Sequence, residues 1–71
     1  MNTPCLFVVA ATGQTRTVEM ERVPCVGEFV DYDDTRNKRK VRYRVQEVAW
    51  QLADDGSEII KVNSVRILLS V

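Results

Sequence analysis

Val41-Arg42-Tyr43-Arg44-Val45-Gln46-Glu47-Val48-Ala49-Trp50-Gln51-Leu52 and, downstream, Ile60-Lys61-Val62-Asn63-Ser64-Val65-Arg66-Ile67-Leu68-Leu69 are the stretches on which the fold turns. In the first, Val41, Tyr43 and Val45 are apolar at odd positions, whereas Val48, Trp50 and Leu52 are apolar at even ones. In the second, Ile60 and Val62 are even, and Val65, Ile67 and Leu69 are odd. Successive side chains of a strand point to opposite faces. A strand that keeps one face on a core must therefore bulge or bend at Gln46-Glu47, and another at Asn63-Ser64.

Asp54-Asp55-Gly56 lies between the two runs and has the chemistry of a three-residue hairpin loop, with glycine at the left-handed position. Such a loop predicts Ala53 opposite Ser57, Trp50 opposite Ile60 and Val48 opposite Val62. Beyond the breaks it predicts Val45 opposite Val65, Tyr43 opposite Ile67, Val41 opposite Leu69 and Arg44 opposite Arg66. Both phase changes then face each other, and two long strands kink together to fold a small sheet over onto itself.

Working upstream, residues 33–40 form a polar loop and residues 29–32 a short strand. Val23-Pro24-Cys25-Val26-Gly27-Glu28 is a turn without regular pairing, because proline lacks a donor and glycine tolerates positive φ. Residues 15–22 form a strand with Val18 and Met20 facing in and Thr17, Glu19 and Glu21 facing water. Thr12-Gly13-Gln14 joins it to a first strand at residues 6–11, apolar on both faces and so either central or covered. The register of that hairpin stays open, since the first strand offers no polar face to align.

Helical spacing is absent, so the chain reads as all-β: a single domain over residues 1–71, a small five-stranded SH3-like barrel with a long bent C-terminal hairpin. The first and last strands, both apolar on two faces, are expected to meet. An OB-like barrel is the alternative, disfavoured because no segment resembles its intervening helix.

Composition narrows function by exclusion. A chain of 71 residues has room for one small core, and its ten Lys and Arg balance ten Asp and Glu, so no net field draws it to nucleic acid or anionic lipid. There is no histidine, which removes Ser/His/Asp and Cys/His catalysis together with His-containing zinc sites. Cys5 and Cys25 are expected to be free, buried thiols. No apolar run approaches the length of a membrane helix and no secretory start is apparent, so a cytoplasmic location is expected. No phosphate loop, Cys-x-x-Cys pair or nucleophile motif is present, and neither an enzyme nor a cofactor or metal site is expected.

The strings 23–30 and 43–50, Val-Pro-Cys-Val-Gly-Glu-Phe-Val and Tyr-Arg-Val-Gln-Glu-Val-Ala-Trp, resemble a pattern in short bacterial proteins carried by phages, integron cassettes and other mobile elements. The resemblance implies a small β-barrel accessory protein and no particular activity. A cassette-borne, plasmid-type dihydrofolate reductase has a similar barrel and a pore lined by a Val-Gln-Ile-Tyr run. Here Val45-Gln46 continues as Glu47-Val48, and that activity is not expected.

The densest surface signal is basic: Arg36, Lys38, Arg39, Lys40, Arg42 and Arg44 fall within nine residues. They could track phosphates, with Tyr43 and Trp50 as stacking residues. Asp31, Asp33 and Asp34 stand across the same turn and can neutralise them, so nucleic acid is not the favoured partner. The predicted pairing of Arg44 with Arg66 sets like charges together and suggests an anion or a carboxylate between them. Glu19 and Glu21 read as solubilising charges on an exposed strand. Leu6, Val8, Ile59 and Leu68 point away from the expected core and together suggest a homo-oligomer interface. The expected function is a non-enzymatic binding protein of a mobile element acting through the basic surface or the dimer face. The alternative is a barrel oligomer holding a small ligand, or performing simple catalysis, in a pore between subunits.

Overall fold

A computed structural model describes residues 2–71 and contains five strands: β1 (Thr3–Val9), β2 (Thr15–Met20), β3 (Phe29–Asp34), β4 (Arg39–Ala53) and β5 (Lys61–Ser70). They form one sheet in the order β2-β1-β5-β4-β3. The β1–β5 pair is parallel and every other pair antiparallel. The first and last strands do meet, with Cys5 beside Val65 and Phe7 beside Ile67.

The sheet curls into an open half-barrel rather than a closed barrel, because β2 and β3, its two edges, do not touch. The core lies on the concave side and consists of Cys5, Phe7, Val45, Val65, Ile67 and Leu69. Met20, Val23, Val30, Tyr43 and Val48 pack against it. Both phase changes are bulges. On β4, Gln46 is the extra residue between the Val45–Leu69 and Glu47–Leu68 pairs. On β5, Asn63 is the extra residue between Gln51–Ser64 and Leu52–Val62.

The pairing of β4 with β5 differs from the sequence expectation. Ala53 faces Lys61, not Ser57, and Trp50 faces Val65, not Ile60. Gly56 does hold the left-handed conformation (φ 87°), and Asp54 and Asp55 accept hydrogen bonds from the backbone N–H of Gly56 and Ser57. The left-handed glycine is present but the three-residue loop is not, because the chain stays irregular through residue 60, where the Ser57 hydroxyl donates to the Ile59 carbonyl. The bulges consequently lie five pairs apart along the hairpin instead of face to face, and each strand bends separately.

Past Gln46, β4 loses its neighbour on the β3 side. The last contacts there run from the Gly27 N–H to the Val45 carbonyl at 2.9 Å and from the Val45 N–H to the Glu28 carbonyl at 2.8 Å. On the other side β1 covers β5 only from Val65 onward. The remainder of the hairpin projects as a two-stranded arm, and the molecule measures 47 × 21 × 20 Å. Its radius of gyration is 13.7 Å, against about 11 Å for a compact chain of this length.

Candidate functional site

The basic cluster does not form one stripe. Strand alternation sends Arg39 to the concave face and Lys40, Arg42 and Arg44 to the convex one, while Arg36 and Lys38 sit in the β3–β4 turn. That turn is shorter than the expected 33–40 loop, since Asp34 pairs with Arg39 and Asp33 with Lys40. Lys38 adopts a left-handed φ of 53°, and the Asp34 carboxylate accepts hydrogen bonds from the backbone and side-chain N–H groups of Asn37.

Arg42 is committed to a partner. Its Nε donates to Asp31 Oδ1 at 2.7 Å and its Nη2 to Oδ2 at 3.1 Å, and its guanidinium lies 5.2 Å from the centre of the Phe29 ring. The hydrogen bond from Arg42 holds the Asp31 carboxyl below its ordinary range. The Arg44–Arg66 anion site is not formed. Arg44 faces Phe29 on one side and Ser70 on the other, and Arg66 faces Ala49 and Leu6. The cause is the shifted hairpin register, which separates the two guanidiniums along the strands.

The four residues expected at an oligomer face are also divided. Leu6, Val8 and Leu68 lie together, half-buried, on the convex side, where Val8 is beside Leu68. Ile59 is far from them in the loop at the tip of the arm, exposed among Leu52, Ile60 and Val62. Cys5 is a buried free thiol, raised by that burial and by Glu19, whereas Cys25 is free and exposed rather than buried.

What the sequence did not reveal is a trough of about 430 Å³ along the concave side, between the two free edges. Phe7, Val9, Leu69, Val41, Val30 and Tyr43 line its floor, and Val18, Met20 and Tyr32 stand on the edges. Arg16, Arg36 and Arg39 lie along it together with Asp31 and Asp34, and none of the three arginines forms an ion pair among the described residues. Val18 and Tyr32 are 42% and 41% exposed although both face the core side. Sequence reading placed Val18 and Met20 inward, yet nothing in alternation says whether a neighbour covers that inward face. On the convex side Glu47, Ala49, Arg66 and Leu68 border a recess of about 20 Å³, room for about one water molecule.

The loop after β2 is fastened against the core and Val45. Arg22 Nη2 donates to Glu28 Oε2 at 2.7 Å, and the Cys25 N–H donates to Glu28 Oε1 at 2.6 Å. Both bonds, that of Arg22 foremost, lower the Glu28 carboxyl from its usual value. The closed loop carries Val23 onto the core and buries Pro24.

Among the described residues no cluster of metal-ligating side chains occurs, and no helix is long and apolar enough to cross a membrane. No family model matches the chain, and no curated protein or solved structure matches it.

Proposed function

We propose that this chain is a non-enzymatic binding protein that takes up polypeptide by strand addition at its open trough. The observation behind this reading is the pair of regular, unpaired edge strands, β2 and β3, facing each other across an apolar floor. An edge strand offers a row of unpaired backbone donors and acceptors, and side-chain pockets beside it provide selectivity. The SH3-like closure expected from the sequence belongs to this proposal in altered form: the barrel is completed by strands the chain does not itself supply. So do the cytoplasmic setting and the accessory role in a mobile element that the resemblance implies.

The basic surface is a weaker basis for function, since Arg42 is paired and the cations are split between two faces. A second reading has its own observation. Three arginines, Arg16, Arg36 and Arg39, against two carboxylates, Asp31 and Asp34, beside an apolar floor leave a small cationic excess that suits a ligand with an anionic group and an apolar body.

Panning a random-peptide library against the immobilised chain tests the proposal. Peptides with alternating apolar residues should be enriched, should shift the amide resonances of β2 and β3, and should lose binding to Val18→Lys and Tyr32→Lys. Absence of enrichment would overturn it, as would binding mapped to Lys40 and Arg44 that vanishes with salt. Thermal stabilisation by small anionic amphiphiles, abolished by Arg39→Gln, would favour the second reading.

A further inference from the structure

The edges of the half-barrel are short and carry charge, Arg16 and Glu19 on β2 and Asp31, Asp33 and Asp34 on β3, but no bulge, proline or lysine closes them to pairing. Both bulges lie on the interior strands β4 and β5, and β2 and β3 contain neither proline nor lysine. Natural sheets usually blunt an edge with such features unless something pairs with it. The two edges also match each other. Each has six residues, and each presents its even-numbered side chains to the trough.

Strand direction decides which pairing symmetry allows. β3 runs with β1 and β5, and β2 runs against them. Rotating a second copy by half a turn about an axis along the strands brings β2 of each copy beside β3 of the other, antiparallel at both seams. The side-chain faces then restrict the register, because a slip of one residue would turn trough residues outward.

We propose that a second copy of this chain closes the barrel, with Arg16 opposite the partner's Asp34, Val18 opposite the partner's Tyr32 and Met20 opposite the partner's Val30. This inference rests on the reading of the trough as a polypeptide site and names its occupant. Charge and polarity support the register. Arg16 has no ion-pair partner among the described residues, and Val18 and Tyr32, both about two-fifths exposed, cover each other. On the convex side Thr17 faces the partner's Asp33. Glu19 faces the partner's Asp31, whose charge Arg42 already engages. The seam is thus apolar and ion-paired on the trough side.

A charge exchange tests this. Light scattering on the wild-type chain should give twice the 8.1 kDa chain mass. Arg16→Asp alone and Asp34→Arg alone should each weaken self-association at least about tenfold, since each repeats a like-charge contact at both seams. Mixing the two variants should restore a dimer, because every seam then joins opposite charges. Asp34 also holds the β3–β4 turn, so Val18→Lys serves as an independent disruptor, with circular dichroism checking that it folds. Amide exchange in the wild-type dimer should protect β2 and β3.

A dimer broken by Leu68→Lys but indifferent to Val18→Lys would overturn the inference in favour of the convex face. A chain that stays monomeric at millimolar concentration would also overturn it. If such a monomer still captures peptides at β2 and β3, the binding reading survives without it. If those amides exchange freely and no peptide binds, both fall.

Discussion

The hairpin of β4 and β5 has two halves made of the same material and treated differently by the fold. In the body, Val45, Val65, Ile67 and Leu69 are almost wholly buried, at 0–3% exposure. In the arm, Trp50, Leu52, Ile60 and Val62 alternate just as regularly and are 46–61% exposed. What separates them is the neighbour. β1 and β3 flank the body, while β4 has no β3 neighbour past Gln46 and the ribbon of residues 51–53 and 61–64 is bare on both sides. Alternation tells which face of a strand is apolar, but burial requires a second layer or a curled sheet to cover it.

The largest expected effect sharpens this contrast with one chemical deletion made twice. Ile67→Ala removes a fully buried side chain and should cost about 2–5 kcal/mol in urea unfolding, a large share of a small domain's stability. Leu52→Ala removes as many carbons from the arm and should cost about 0.5 kcal/mol or less. Equal losses would mean that the arm is covered in solution and that the two halves are alike.

Deleting the bulge residues probes the same boundary with a smaller effect. Removing Gln46 leaves Val45–Leu69 and Glu47–Leu68 as consecutive pairs, so the chain should fold with a continuous ladder and a straighter body. Removing Asn63 makes the same repair in the arm and should barely alter the unfolding midpoint. Deleting Tyr43 instead, in a regular stretch of β4, puts the four pairs from Asp31–Arg42 to Asp34–Arg39 out of phase with Phe29–Arg44 and should be far worse than either. Hydrogen exchange should agree, with the amides of 65–69 opening only on global unfolding and those of 49–53 exchanging through local opening.

The sequence made four strands legible, and both bulges within a residue, because each is a local property of period-two alternation, whereas β1, apolar on both faces, runs over Thr3–Val9 instead of the expected 6–11. The pairing of β4 with β5 was not legible. Asp54-Asp55-Gly56 fits a three-residue loop, but Ser57 to Ile60 continue the irregular chain, and no local signal marks where pairing resumes. That slip of four to five residues moved Arg66 away from Arg44 and with it the expected anion site. The trough was hidden for a different reason. Whether β2 and β3 join is a question of sheet curvature, to which Val18, Met20, Val30 and Tyr32 contribute the same inward pattern in a closed barrel as in an open one. The convex-side positions of Leu6, Val8 and Leu68 followed from parity alone, whereas the separation of Ile59 from them depended on the length of the arm.

The smallest effect compares two loop carboxylates, one in each half of the molecule. Glu28 binds Arg22 and the Cys25 N–H and ties the 21–28 loop onto the core, whereas Asp55 accepts from Ser57 at the tip of the arm. Hydrogen bonding lowers both carboxyls from their ordinary values in the folded chain. A carboxyl lowered on folding contributes stability above its unfolded pKa of about 4, and that contribution is lost as pH falls through the lower folded value. Glu28→Gln should therefore be less stable than wild type at pH 7 by a modest margin, because the pair is solvent-screened, and the two unfolding curves should converge below pH 4. Asp55→Asn should leave the global unfolding midpoint unchanged at every pH, since the tip can open without the body. A pH-dependent loss for Asp55→Asn as large as that for Glu28→Gln would show that the arm unfolds together with the core, and the division between the two halves would then be one of exposure and not of cooperativity.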